Sequence, residues 1–555
     1  MALEKEWWRK SVVYQIYPQS FQDSNGDGVG DLNGIRRRLP YLAQLGIDLI
    51  WICPIFLSPM VDNGYDVADY GRVDPRYGTN EDLSALIEEA ASYGIRLVLD
   101  LVINHCSDQH AWFKKAVDDP ESREAGYFYF RRTQDGLAPN NWRSNFGGPA
   151  WTQLPDGRWY YHTFAPQQPD LNWENPQLRS ALYDMVNGWL DQGIAGFRID
   201  AITFIKKDLT FASRPMPEGE LYRVENFQNY PGIGEFLNEL KRECFDKHNC
   251  VTIAEAPGVG PDGIAEYCGA DGYFSMIFDF GWSDLHGETT KSSMAVIEKW
   301  KKRMMGNQCS IGKNGWSGVF LENHDQARCA NKFLEPEDIS ETSMAALGAL
   351  YMFMHGTPFI YQGQEIGMTN ATWTSIDQFQ DVAAHSRYRE AIEKGVPEET
   401  ILQDLCAYGR DNARTPFQWD ATPQAGFTTG TPWLRVNERY TEVNAQEQLA
   451  RENSLFHRYR QLVALRRSPE YADVFAYGTF RPIMMDCEGV IGYERAYGDT
   501  AVFVLVNLSH EEKRLACRAE KILFTNMEGS GAAQEHVILA PYQAVVGVSG
   551  GQFRP

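Results

Sequence analysis

Eight short runs of apolar and β-branched residues, each followed by a crossover segment, constrain the fold more than any other feature of the chain. They lie at Val12–Tyr17, Leu49–Ile55, Arg96–Ile103, Gly196–Ile202, Val251–Ala254, Phe274–Phe278, Gly318–Leu321 and Pro358–Tyr361. Several are nearly continuous in hydrophobicity, as strands buried on both faces require. The crossovers carry helical spacing. Asn33–Leu45 ends at Gly46, and Leu83, Leu86, Ile87 and Ala90 form one apolar face behind the caps Thr79 and Asn80, with Gly94 as the stop. Asn175-Pro176 opens another helix, with Pro at the first helical position. Ile233–Cys244 and Met344–Met354 read as further helices. Repeated βα units make a parallel sheet, and eight of them predict an α/β fold built on a closed (β/α)8 TIM barrel. An open, doubly wound sheet is the alternative that strand count alone does not exclude.

Two segments interrupt this pattern. Residues 106–175 are rich in aromatics, Asn, Gly and Pro without a sustained period, and read as a loop-rich subdomain inserted after the third strand. Residues 368–448 read as a turn-rich excursion before a last helix whose apolar face is Leu455, Tyr459, Leu462 and Val463. From about Tyr477 short β runs alternate with Gly, Asp and Asn turns, which predicts an antiparallel β domain of sandwich type. The resulting division is 1–105 and 176–475 for the barrel, 106–175 for the insertion and 476–555 for the C-terminal domain.

Charge narrows the partners. The chain of 555 residues carries 52 Lys and Arg against 74 Asp and Glu, a net charge of −22, which disfavours nucleic acid and anionic membrane surfaces. No run approaches the ~20 apolar residues of a membrane span. The ten cysteines form no CxxC pair, and the N-terminus does not read as a secretory signal, so a reduced, cytoplasmic protein is expected, as a monomer or small homo-oligomer. The chain contains no GxxxxGK[ST], HExxH or GxSxG, and no GxGxxG after a strand, so no organic cofactor is expected.

In a parallel barrel the active site lies at the C-terminal ends of the strands. The third run ends in Asp100-Leu-Val-Ile-Asn104-His105, the fourth in Arg198-Ile-Asp200-Ala201, the fifth in Glu255-Ala-Pro257 and the seventh in Glu322-Asn323-His324-Asp325. A single Asp at a strand end is usually a cap or tether, and Asp100 reads as one that bonds loop amides. Asp200, Glu255 and Asp325 come from three strands to one mouth, and paired carboxylates are the equipment of glycoside hydrolysis. Arg198, two residues before Asp200 on the same side of a strand, favours an ionised nucleophile.

With these motifs the chain resembles glycoside hydrolase family 13, the α-amylase family, along essentially its whole length. Within that family it looks like the oligo-1,6-glucosidase and α-glucosidase branch, whose marking segment Gln168-Pro169-Asp170-Leu171-Asn172 resembles. The resemblance implies Asp200 as nucleophile, Glu255 as general acid/base and Asp325 as transition-state stabiliser. It implies that His105 and His324 bond sugar hydroxyls, that Arg198 attends the nucleophile, and that Tyr65 lies under the sugar. Phe164 is implied as a further wall, and Asp62 with Arg414 as an ion pair closing the pocket beyond the non-reducing end. Ala201, directly after the nucleophile, matches the position where enzymes cutting α-1,6 bonds usually carry Val and those preferring α-1,4 bonds often carry Ala or Thr.

Asp23-Ser-Asn25-Gly-Asp27-Gly28-Val29-Gly-Asp31 spaces oxygen donors like an EF-hand loop but has Gly34 where the closing Glu belongs. From the residues alone, a solvated Asn/Asp/Gly turn is as good a reading. The resemblance implies one structural Ca²⁺ or Mg²⁺ held by Asp23, Asn25, Asp27, Asp31 and the carbonyl of Val29.

The expected activity is that of a retaining, exo-acting α-glucosidase. It releases glucose from the non-reducing end of maltose, isomaltose and short oligosaccharides, with α-1,4 bonds preferred. Oligo-1,6-glucosidase or dextran glucosidase, trehalose-6-phosphate hydrolase and sucrose isomerase are the enzymatic alternatives, and an inactive relative serving as an interaction subunit is the non-enzymatic one.

Overall fold

A computed structural model describes residues 6–217, 219–281, 291–527 and 536–550. All eight sequence-predicted strands form, as β1 (Val13–Ile16), β2 (Leu49–Ile52), β3 (Arg96–Val102), β4 (Gly196–Asp200), β5 (Val251–Ala254), β6 (Met276–Phe278), β7 (Ser317–Val319) and β8 (Thr357–Tyr361). They pair in parallel in chain order, and β8 returns to β1, closing the barrel and excluding the open sheet. Several runs read two or three residues too long because the apolar pattern continues past the last ladder bond into buried loops.

Inside the barrel, Val13, Leu49, Trp51, Val98, Val251, Ile253, Met276, Phe278 and Phe359 pack on one another. The helices outside begin where the sequence supplies caps. In α1 (Leu32–Leu45) Asp31 accepts from the Gly34 amide and Gly46 ends the helix at φ 95°. In α2 (Asn80–Ser92) Thr79 and Asp82 form a capping box. Asn175 caps α3 (Pro176–Asp191). Next come α4 (Ile233–Glu243), α5 (Ile264–Cys268), α6 (Met294–Asn314), α7 (Glu341–Met352) and α8 (Leu455–Arg467). Gly196 opens β4 at φ 149°, where a Cβ would stand 1.8 Å from the Val251 carbonyl oxygen, so β4 and β5 approach as they do only with glycine there.

The insertion holds a helix, Ala111–Asp118, and a three-stranded antiparallel sheet of Phe130–Arg131, Trp159–Tyr161 and Trp151–Gln153. Residues 368–448 are less irregular than their turn-rich sequence predicts. They contain the helices Val382–Glu393 and Glu398–Tyr408, whose apolar positions pack on Trp373 and Phe379. At the C-terminus, β9 (Thr479–Ile483), β10 (Val490–Tyr497), β11 (Thr500–Asn507), β12 (Ala519–Thr525) and β13 (Ala544–Ser549) form an antiparallel sheet in the order β9-β10-β11-β13-β12. A separate two-stranded sheet, Lys513–Leu515 with Val537–Leu539, shares a core with it through Leu515, Leu539, Val490, Phe503 and Leu505. Buried polar groups fasten this domain to the C-terminal end of α7: the Tyr493 hydroxyl donates to the Leu350 carbonyl at 2.8 Å and Arg495 Nη1 to that of Phe353 at 3.1 Å.

Among the described residues no helix is long and apolar enough to cross a membrane. All ten cysteines are free.

Candidate active site

The C-terminal mouth of the barrel holds a pocket of about 300 Å³, bordered by Asp62, Tyr65, His105, Phe164, Asp200, Ala201, Glu255 and Asp325, with Asn145, Phe146 and Arg410 among the remaining wall residues. Asp200 is the last residue of β4, Glu255 follows β5 at once, and Asp325 stands in the loop after β7. The barrel topology therefore brings the three sequence-predicted acids together.

Arg198 organises them. It sits two residues before Asp200 on β4, in register with Asp100 of β3. Its buried guanidinium donates Nη1 to Asp100 Oδ1 at 2.8 Å and to Asp200 Oδ1 at 2.7 Å, and Nη2 to Glu255 Oε2 at 2.7 Å. A planar fork with fixed donors suits such sharing. Asp100 is bonded by no loop amide among the described residues, contrary to the sequence expectation. It accepts from Trp51 Nε1 at 3.2 Å and the Tyr65 hydroxyl at 3.0 Å, because the barrel interior places side chains on it from β2 and its following loop.

Burial raises the Asp200 and Glu255 carboxyls to about 7 against the pull of Arg198. Across the guanidinium they share, Asp200 opposes the ionisation of Glu255 and Asp100 that of Asp200, so near neutral pH Asp200 and Glu255 between them retain a proton. With that proton on Glu255, Asp200 is a carboxylate and Glu255 an acid, the division of labour glycoside hydrolysis needs. For Asp325, burial also acts upward, but His324, whose Nε2 lies 3.1 Å from Asp325 Oδ2, and then the charges of Arg410, Arg414 and Arg198 outweigh it and hold the group below the usual carboxylate range.

Ala201, next to Asp200, does not continue the alternation of β4. The strand has ended, and Ala201 is left-handed at φ 44°, ψ 34°. That turn aims its N–H at Glu255 Oε2, 3.0 Å away.

His324, Arg198 and Arg414 stand behind the pocket wall. Gln15 Nε2 donates to His324 Nδ1 at 2.8 Å, which places the imidazole proton on Nε2, 2.6 Å from the Tyr65 oxygen. Tyr65 lies over His324 with its ring 9° from parallel and passes its own proton toward Asp100. Burial lowers His324 to about 3, so it is neutral. His105 meets the Tyr65 carbonyl at 3.1 Å and Gln168 Nε2 at 3.2 Å, and its ring lies 5.1 Å from that of Phe164.

The expected Asp62–Arg414 pair is corrected. Asp62 Oδ1 is bound by Arg410 Nη2 at 3.3 Å, and Asp62 Oδ2 by Gln168 Nε2 at 3.0 Å. Arg414 instead donates Nη2 to Asp325 Oδ1 at 2.8 Å and Nε to the His324 carbonyl at 2.9 Å. Both arginines belong to one short helical turn, Asp411–Arg414 with Arg410 at its start, so they point to neighbouring carboxylates. Sequence reasoning missed Arg410, four residues from the arginine it chose, and Phe146, hidden in the aperiodic insertion.

In the loop before α1, Asp23 Oδ1 accepts the amides of Asn25 and Gly26, and Asp23 Oδ2 that of Gly28. Asn25 and Asp27 accept from the amides two residues on, and Asp31 from Ser24 and Gly34. The donor set is oxygen only, and among the described residues none of its carboxylates pairs with a cationic side chain, so its chemistry fits a hard divalent cation. Among the described residues no three His, Cys, Asp or Glu side chains converge as a metal cluster, so a cation here would have to draw on Asn25 and the Val29 carbonyl as well.

Comparison with known proteins agrees with this geometry. The family alpha amylase, catalytic domain, matches residues 15–474. The probable oligo-1,6-glucosidase 3 of Bacillus subtilis (strain 168) is 40% identical over 98% of this chain and 99% of its own length. Among solved structures, the isomaltulose synthase of Protaminobacter rubrum superposes with a TM-score of 0.91 at 35% identity, covering 99% of this chain and 100% of that one. The trehalose-6-phosphate hydrolase of Bacillus licheniformis does so at 0.89 and 36%, covering 98% and 100%.

Proposed function

This chain belongs to the α-amylase family, glycoside hydrolase family 13, in its oligo-1,6-glucosidase branch, and as a retaining glycosidase of that family we propose that it removes single glucose units from the non-reducing end of short α-glucosides. The observation that carries the reading is the guanidinium of Arg198 shared between Asp200 and Glu255 at the floor of a pocket closed by Asp62 and Arg410.

Asp200 attacks the anomeric carbon while Glu255 gives its proton to the leaving oxygen. The bond to the leaving sugar breaks, and a glucosyl ester forms on Asp200. Glu255, now a carboxylate, takes a proton from water as that water attacks the ester, and Asp200 is freed. Asp325, anionic and held by Arg410 and Arg414, stabilises the positive charge that develops on the sugar ring. Tyr65 and Phe164 supply apolar faces to the ring, and His105 and His324 fix the groups around it. The 300 Å³ of the inner pocket suits one sugar, and the outer cavity of about 1080 Å³ leaves room for the rest.

Linkage has two supports that differ. Ala201 favours α-1,4 bonds, whereas the names of the relatives favour α-1,6. We propose that both are cut, with α-1,4 preferred. Initial rates on maltose, isomaltose, sucrose, trehalose and trehalose-6-phosphate test this, and a clear preference for isomaltose overturns the preference assigned to Ala201. We further propose that the Asp23–Asp31 loop binds one structural Ca²⁺ or Mg²⁺, and that the enzyme, with its ten free thiols, works in a reducing compartment.

A further inference from the structure

We propose that the helix Val382–Glu393 shapes the sugar pocket from outside the barrel: Asp381 at its start and Glu390 near its end are positioning residues that hold Arg410 and the Phe146 loop, two parts of the pocket wall. The proposal rests on the α-glucosidase reading for its substrates but not for its geometry.

Asp381 caps the helix by accepting from the Ala383 amide at 2.9 Å. It also holds Arg410 with both carboxylate oxygens, one taking Nε at 3.0 Å and the other Nη2. Arg410 then has single bonds left for the pocket, Nη1 to Asp325 at 3.1 Å and Nη2 to Asp62 at 3.3 Å. Asp381 is thus the anchor, and the two pocket carboxylates take what the anchored fork presents.

Glu390 grips the opposite wall. Its Oε1 accepts the Gly148 amide at 3.0 Å and its Oε2 accepts Arg143 Nη2 at 2.7 Å. Between these contacts the chain turns through Gly147 and Gly148, at φ 99° and 68°, and a Cβ on Gly147 would come within 2.2 Å of Glu390 Oε1. The turn carries Phe146, whose ring lies 5.4 Å from Phe164 and 5.3 Å from the Arg410 guanidinium. One helix therefore fixes both sides of a cation–aromatic contact at the pocket wall. Phe146 borders the inner pocket, the outer cavity and a side cavity of about 570 Å³, so its placement separates the three. Neither Asp381 nor Glu390 borders the inner pocket; both line the outer cavity, so toward the single glucose of the inner pocket each acts through the residue it holds.

The test uses the full chain with Asp381→Asn and Glu390→Gln, assayed on maltose and p-nitrophenyl α-glucoside, with glucose binding followed by calorimetry and Tm recorded. Asp381→Asn should raise KM for both substrates and Kd for glucose about tenfold, with kcat changed less than about threefold. Combined with Arg410→Ala it should be no worse than Arg410→Ala alone, because it acts through that side chain. Glu390→Gln should weaken glucose binding in the same direction, and that effect should vanish in a Phe146→Ala background. Unchanged KM and Kd beside a lower Tm, or effects that multiply in the double variants, would overturn the proposal. If Asp381→Asn does not fold, the Glu390 series decides alone. Wild-type protein that binds glucose but turns over neither substrate overturns the glucosidase reading instead, and the binding data still judge the helix.

Discussion

The backbone N–H of Ala201 donates to Glu255 Oε2 at 3.0 Å, so the residue after the proposed nucleophile holds the proposed general acid. It does so because Ala201 is left-handed at φ 44°, a conformation that β-branched residues resist. Ala201→Val should therefore lower stability by about 1 kcal/mol and the maltose-to-isomaltose ratio of kcat/KM by roughly tenfold. Ala201→Gly should keep the stability. Tm and paired kinetics check this, and an unchanged ratio makes Ala201 a packing residue only.

The pH profile follows from the acid pair. Glu255 must be protonated and Asp200 ionised, and burial brings both to about 7. Activity should form a narrow bell: it falls below neutrality as Asp200 is protonated and above it as Glu255 loses its proton. On p-nitrophenyl α-glucoside, whose leaving group needs no proton, Glu255→Gln should lose the alkaline limb of the first step. A profile flat from pH 5 to 9 contradicts the pairing.

Closure of the pocket by Arg410 predicts exo action. Arg410→Ala should leave Asp62 with Gln168 as its remaining partner and raise KM for maltose about tenfold, more than it lowers kcat. Soluble starch should be a poor substrate. A rapid loss of iodine staining with little glucose released contradicts a closed pocket.

The barrel and its acids were legible because each depends on a local pattern. Buried parallel strands read as apolar runs, and the catalytic groups of a barrel must follow those runs. The partner of Asp62 was not legible: Arg410 and Arg414 share one helical turn, and sequence offers no way to rank two arginines that choose between Asp62 and Asp325. The helix Val382–Glu393 is not legible in the sequence for another reason. It buries little beyond Ala384, so its sequence shows no clear apolar stripe. The left-handed turn at Ala201 was invisible because alanine there carries none of the marks, Gly or Asn, by which such turns are read.

The early loop makes a separate claim. Chelation should lower Tm, with Ca²⁺ or Mg²⁺ restoring it, while the bond cleaved stays the same. Equal melting with chelator and with either metal contradicts a bound ion and leaves Asp23 and Asp31 as turn and cap residues.

The account is tested most directly by following maltotriose, isotopically labelled in its reducing-end glucose, by proton NMR from the first seconds of hydrolysis. The predicted first products are unlabelled glucose as the α-anomer, which then mutarotates, and labelled maltose, the outcome of two displacements at Asp200 in a pocket that takes the non-reducing end. Labelled glucose released first, or unlabelled glucose appearing as the β-anomer, would contradict it.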